Sequence, residues 1–446
     1  MNQSNMLTGS PGKTLFLFAV PMMIGNLFQQ LYNLVDSAVV GKYVGENALA
    51  AVGASYSITN VFIAIAIGGG IGSSVIISQY LGAGNIRKMK TSIYTALFNF
   101  LGISLFLGVF GAFFHRQILI WMDTPQNVLA EAGIYLKIYF YGLPFLFMYN
   151  ILASIFNSMG DSKTPLCLLI FSSVLNIFLD ILFIVPFHMG VAGAAWATIL
   201  SQFLSALFSL LVGLKNFPVL HLHREDFHDI RGTISLHLKT GFPMGFQMSV
   251  MCIGQLAMQA GVNALGADAI AGYTAATKVD QLSVLVDQAF GVAISSYVAQ
   301  NFGAGRYDRI RQGVRASLIQ TETTNLIMCA FILLCRSLFV PLFVDHPTPS
   351  IIGYSNGYLI AVSPFYLILG LLTVYRSSIQ SMGNGAIPFA ACIIELVMRI
   401  CGTMGLSMIW GYTGICLASP LAWIGATSLL IVVYYRMIGR LNPLKG

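Results

Sequence analysis

The chain is a series of long apolar runs separated by short polar breaks. Twelve runs can be drawn, at about 14–40, 48–81, 91–114, 132–157, 164–186, 191–214, 237–265, 268–302, 313–343, 351–382, 386–410 and 413–438. Each is long enough for the ~20 residues that a helix needs to cross a bilayer. Hydrocarbon admits only helices or closed barrels, because every backbone polar group must be satisfied internally. Barrel strands would show short segments of alternating polarity instead. The pattern therefore predicts an all-α membrane protein with twelve transmembrane helices. Several runs exceed what a crossing needs, so tilt, kinks or protrusion into water are expected.

The polar breaks set the orientation. Arg87, Lys88 and Lys90 follow the second run; Arg306, Arg309, Arg311 and Arg315 follow the eighth; Arg436, Arg440 and Lys445 close the chain. The breaks on the other side are short or poor in cations: Lys42 with Glu46, Arg116 with Asp123, Asp268, Asp345. Cytoplasmic loops are the ones enriched in Lys and Arg, so both termini are expected in the cytoplasm of a multi-pass plasma-membrane protein.

The second half repeats the first. Gln79-Tyr-Leu-Gly-Ala-Gly84 matches Gln300-Asn-Phe-Gly-Ala-Gly305 at a shift of 221, and Pro21 matches Pro243 at a shift of 222. Ser158-Met-Gly-Asp161 matches Ser381-Met-Gly-Asn384 at 223, and Gly190 and Gly193 match Gly411 and Gly414 at 221. A near-constant shift across six spans is the mark of a duplication. An even number of spans per copy keeps the topology the same. The expected architecture is two six-helix bundles, 1–214 and 237–446, related by a pseudo-two-fold along the membrane normal, with a substrate site between them near the midplane. A cytoplasmic linker, 215–236, joins them. Its His221, His223 and His228 show no regular ligand spacing and are taken as a solvated connector.

Composition agrees with this picture: 57% of residues are hydrophobic and 9% charged, against about 25% charged in soluble domains. The net charge of +7 sits mostly in loops and is no sign of nucleic-acid binding. All seven cysteines lie in apolar runs without a CxxC or Cys/His spacing, so neither a zinc site nor a disulfide framework is expected. The first apolar run is too long for a signal-peptide core and is taken as a span. Gly68-Gly-Gly-Ile-Gly72 lacks the GK[ST] ending of a phosphate loop and is read as small residues for close helix packing. No Walker, HExxH or serine-hydrolase sequence occurs. An enzyme is not expected, nor a bound cofactor.

What remains is a small set of ionisable residues inside the spans. A carboxylate at membrane depth costs about 2.5–3.5 kcal/mol on insertion scales, which makes it a functional-site hypothesis by default. Asp36 lies five residues before Gly41, about 6–8 Å below the outer rim of the first span. Asp180 lies six residues before Pro186, about 9 Å below the same rim, and Asn176 is one turn away on the same face. Two acids from different spans thus share a depth, as a proton or sodium site requires. At shifts of 222 and 223, Asp36 maps to Met258 and Asp180 to Thr403, so coupling is assigned to the first half. In the second half Asp280 is a candidate for attracting cations to a cavity. Glu395 and Arg399, spaced i,i+4 with the acid first, are expected to form a structural ion pair. Arg376 is expected to reach for the headgroups.

These features together resemble the multidrug and toxic compound extrusion (MATE) family over nearly the whole chain. The resemblance is carried by Pro21…Tyr32…Asp36, QYLGAGN at 79–85, SMGDSKTP at 158–165, Asn176…Asp180, and the echoes GAGRYDRI and SMGNGAIP. It implies a cation-coupled antiporter that expels organic cations in exchange for H+ or Na+, acting as a monomer in the lipid bilayer. It implies that Asp36 holds the ion with Asp180 and Asn176, that Thr198 lies near them, and that Tyr32 and Pro21 belong to the part of the first span that responds. Some branches of the family place a glutamate on the seventh span; residues 240–265 here contain no carboxylate. Two other readings stay open: a flippase or exporter of a lipid-linked or other endogenous metabolite, and a membrane receptor that transports nothing.

Overall fold

The computed structural model describes residues 6–122, 124–221, 230–344 and 347–441. Residues 222–229 of the linker, including His223 and His228, lie outside the described residues, as do Asp123, Asp345 and Lys445. Helices follow the apolar runs: α1 Pro11–Tyr43, α2 Glu46–Gly82, α3 Ile86–Trp121, α4 Gln126–Ser158, α5 Lys163–Ile184, α6 Gly190–Asn216, α7 Ile230–Asn263, α8 Ala267–Gly303, α9 Tyr307–Phe339, α10 Pro349–Val362, α11 Tyr366–Ser381, α12 Ala386–Trp410 and α13 Tyr412–Arg440. Among the described residues there is no strand. Among the described residues eleven segments are long and apolar enough to cross a membrane, α10 through α11 counting as one. The exception, α7, begins with Arg231, His237 and Lys239 and is the more polar for it.

The repeated motifs are the helix ends. Asp161 of the first SMGD accepts from the backbone N–H of Lys163 and Thr164, both at 3.1 Å, and from the Thr164 hydroxyl at 2.6 Å. Its echo Asn384 accepts from the Ile387 N–H at 3.2 Å. Each caps the first turn of the next helix, where backbone donors have no intrahelical partner. The glycine before each residue turns the chain through the left-handed region, Gly160 at φ 82° and Gly383 at φ 89°. The GAG motifs do the same, Gly84 and Gly305 both at φ 68°. A side chain at either φ would be strained.

The chain packs as two compact units. One runs from Ile24 to Phe246; the other takes the first part of α1, up to Met23, together with Gln247 onward. The reason is visible in the contacts of each helix start. In the second unit Arg309 donates to the carbonyls of Met6 (3.2 Å) and Gly9 (2.7 Å), and Gln320 donates to Gly12 (2.7 Å). Leu15, Phe18 and Ala19 then enter that unit's apolar core. In the first unit His237 of α7 is fully buried between the Ser73 hydroxyl of α2 (2.9 Å) and the Ser92 hydroxyl of α3 (2.8 Å). A side chain at Gly68 or Gly72 would fall on the backbone of Gly245 or Gly241. The glycine run of α2 is therefore a close-packing surface, as the sequence predicts, and the structure identifies its partner as α7.

Within each unit the helices pack in the same pairs. In the first, α4 is the hub, against α2, α3 and α6, and α5 packs on α6. In the second, α10 and α11 together are the hub, against α8, α9 and α13, and α12 packs on α13. One difference matters below. Pro144 lies inside the unbroken α4, whereas Pro364, its counterpart in the second unit, sits in a single 3-10 turn, Ser363–Phe365, that separates α10 from α11.

Candidate functional site

The first unit brings Asp36 and Asp180 together. Asp36 comes from the C-terminal part of α1 and is half-buried; Asp180 comes from the last turns of α5 and is completely buried. Their carboxyl groups lie within hydrogen-bonding reach of each other. No donor serves them: Asp36 Oδ1 and both oxygens of Asp180 are buried without a partner among the described residues. Asn176, one turn before Asp180 and 2% exposed, leaves both amide atoms unpartnered as well.

Burial of unpaired polar atoms is costly, and burial of unpaired charge far more so. Native proteins leave few such atoms. Together these atoms make a cluster that a small cation would satisfy, since every one but the amide nitrogen is an oxygen. Carboxylate and carbonyl oxygens suit hard cations. A single proton between the two carboxyl groups would meet part of the same need.

Tyrosines wall the pair. Tyr32, one turn before Asp36 on α1, lies in the field of both acids. So does Tyr135 of α4, which stacks on Tyr139 with ring centroids 6.4 Å apart. The Tyr139 hydroxyl is buried and unpartnered. Neither Tyr135 nor Tyr139 is singled out by the sequence. Their i,i+4 spacing in an apolar run was the available signal, but it is equally the spacing of ordinary core aromatics.

The remaining candidates make no hydrogen bond to the pair among the described residues. Thr198 is half-buried on α6, and no hydrogen bond joins it to Asp180. Pro21 is buried in the part of α1 that belongs to the second unit. Asp280 is also in the second unit, accepting hydrogen bonds from the hydroxyls of Tyr366 (2.8 Å) and Tyr358 (3.4 Å).

The expected Glu395–Arg399 pair is corrected by the structure. Glu395, 2% exposed, pairs with Arg376 of α11 rather than with Arg399 on its own helix. Arg376 is therefore turned inward and does not reach for the headgroups. Arg399 is 4% exposed, with Nε unpartnered. The i,i+4 rule describes isolated helix surfaces. Here a cation from a neighbouring helix holds the acid instead.

Acids buried within membrane-spanning helices mark candidate ion or substrate pathways. The MatE family profile matches residues 21–182 and again 243–404, and the chain belongs to that family of membrane transporters. It is 30% identical to the "Probable multidrug resistance protein YpnP" of Bacillus subtilis (strain 168), over 98% of this chain and 97% of that one. It is 23% identical to an "FAD transporter" of Shewanella oneidensis, over 100% of this chain and 98% of the other. In fold it is similar to a solved structure described as the "Outward-facing conformation of a multidrug resistance MATE family transporter of the MOP superfamily", at a TM-score of 0.93, 22% identity and 99% coverage of both chains. The two profile matches, one in each half and equal in length, restate the internal repeat.

Proposed function

We propose that the chain is a secondary exporter in which Asp36 and Asp180, assisted by Asn176, hold a proton or sodium ion in alternation with the outward passage of an organic-cation drug or toxic compound. The observation that carries this reading is the pair of buried carboxyl groups facing each other without other partners. Two negative charges held together away from water require a positive partner. When the ion leaves, that requirement returns and the helices bearing the acids must rearrange or rehydrate.

The thermodynamic condition is that ion and substrate bind the two access states with different affinities. One elementary charge crossing 100 mV is worth about 2.3 kcal/mol. A one-for-one exchange of monovalent cations moves no net charge and runs on the concentration gradient, about 1.4 kcal/mol per tenfold. The reading also takes the chain as a monomer with both termini in the cytoplasm.

The testing experiment is efflux from proteoliposomes under an imposed pH or sodium gradient. Export of an organic cation driven by one of them, and lost in Asp36→Asn, is the expected result. Equal efflux with no gradient overturns it. A second reading, export of an endogenous metabolite, is favoured by the relative named as an FAD transporter. The same vesicles loaded with FAD distinguish the two, since the second reading requires FAD to move and organic cations to stay.

A further inference from the structure

We propose that the second unit holds a cation centre of its own, in which Asp287 and Glu322, with Asn325, take up a monovalent cation, a proton or a sodium ion, beside the break between α10 and α11.

Asp280 and Asp287 lie two turns apart on α8, about 10 Å along its axis. Their surroundings differ. Asp280 receives two tyrosine hydroxyls and lies in the field of Arg399. Asp287 is 2% exposed and receives one hydrogen bond, from Asn325 Nδ2 to Oδ1 at 3.0 Å. Its other oxygen has no partner among the described residues. The charged side chains acting on it are Glu322 and Asp280, both acids. A buried carboxylate with acid neighbours and no base is strongly unfavourable until a cation or a proton joins it.

The place for that cation is built. Besides Asp287 Oδ2, the side chains that meet at Gly370 carry, among the described residues, unpartnered buried oxygens of their own, Glu322 Oε1, Asn325 Oδ1 and Thr321 Oγ1, all from α9. Carboxylate, amide and hydroxyl oxygens are the donor set of a hard cation. Gly370 of α11 keeps the space open: a side chain there would begin 2.6 Å from Asn325 Nδ2 and 2.7 Å from Glu322 Oε1. Asn325 Nδ2 also donates to the carbonyl of Tyr366, the first residue after the 3-10 turn, at 2.9 Å. Broken helices beside acids at membrane depth are how transporters bring backbone carbonyls to an ion.

The repeat provides an internal comparison. At a shift of 222, Asp287 corresponds to Ile65 and Glu322 to Phe100; at 220, Gly370 corresponds to Asn150. None of the three features is shared with the first unit. The first half lost or never had this cluster, just as the second half lacks counterparts of Asp36 and Asp180.

The test uses the purified full-length protein with the first pair silenced by Asp36→Asn and Asp180→Asn. Sodium binding is measured with radioactive sodium in equilibrium dialysis, and proton occupancy by infrared titration of the carboxyl band. In this background a sodium ion still bound, or a carboxyl still titrating, is expected. It should weaken about tenfold or more, or the titrating signal vanish, on adding Asp287→Asn or Glu322→Gln. Gly370→Ala, which fills the gap and leaves every charge in place, should weaken sodium in the same way or shift the carboxyl titration. The sodium arm identifies a sodium site, and an infrared change alone a proton site. If neither signal responds to any of the three substitutions, the proposal is overturned. Because no transport is measured, this outcome is independent of whether the first pair drives export.

Discussion

Asp36 and Asp180 lie on the first and fifth helices, far apart in sequence, yet their carboxyl groups come within hydrogen-bonding reach in one packed unit, and the acceptors they bury find no donor among the described residues. An apolar site does not tolerate that arrangement by accident. Two charged groups at membrane depth each carry an insertion cost, and placing them together adds their mutual repulsion.

Asp36→Asn and Asp180→Asn should each cut gradient-driven export at least about tenfold, the equivalent of ~1.4 kcal/mol of lost coupling, with the protein still present in the membrane. Met258→Leu, at the position equivalent to Asp36, should leave export within about twofold of the wild type, a ratio on the order of tenths of a kcal/mol. Initial rates in proteoliposomes, normalised to inserted protein, decide both. Near-normal export by Asp36→Asn would remove this residue from the mechanism.

The Arg376–Glu395 pair should matter for stability far more than an exposed pair would, with the acid only 2% and the base 11% exposed. Replacing one partner, as in Glu395→Gln, leaves a buried charge and should cost about 3–5 kcal/mol. Replacing both by Leu should recover much of that loss. Thermal unfolding of the two single variants and the double variant in detergent measures the coupling directly. Additive losses would show that the pair is not a unit.

Gly68→Ala should disturb the approach of α7 to α2, because the added methyl meets the Gly245 backbone. Backbone yields less readily than a side chain, so a loss of about 1–3 kcal/mol is expected. Gly53→Ala on the same helix has open space around it and should not lower stability. Equal melting temperatures for the two variants would contradict the packing role assigned to the glycine run.

Asp161→Ala and Asn384→Ala should each lower stability by about 0.5–2 kcal/mol, the usual worth of a helix cap. Export per folded molecule should stay unchanged, since both side chains are occupied in capping α5 and α12. A selective loss of transport in Asp161→Ala would instead give this motif a part in the cycle.

The helices were largely legible in the sequence because hydrocarbon leaves the backbone a single open-ended solution, and apolar runs of this length announce it. The repeat was legible because its marks are helix caps and positive-φ glycines, whose roles are local and tied to residue type. The pairing of Asp36 with Asp180 could be anticipated from depth alone, since rise per residue converts position into height. Tyr135 and Tyr139 could not, because height says nothing about which faces meet.

The linear chain thus determined the apolar spans, the duplication, the caps and the level of the first acid pair, all of which follow from neighbours in sequence. Tertiary structure alone decided that Glu395 goes to Arg376 and not to Arg399. It also decided that the start of α1 joins the second unit while the start of α7 joins the first, and that Pro364 interrupts its helix where Pro144 does not. Each depends on which side chains from distant parts of the chain compete for one buried place. Just past Pro364, Asn325 of α9 donates to the Tyr366 carbonyl, and no local pattern records that meeting.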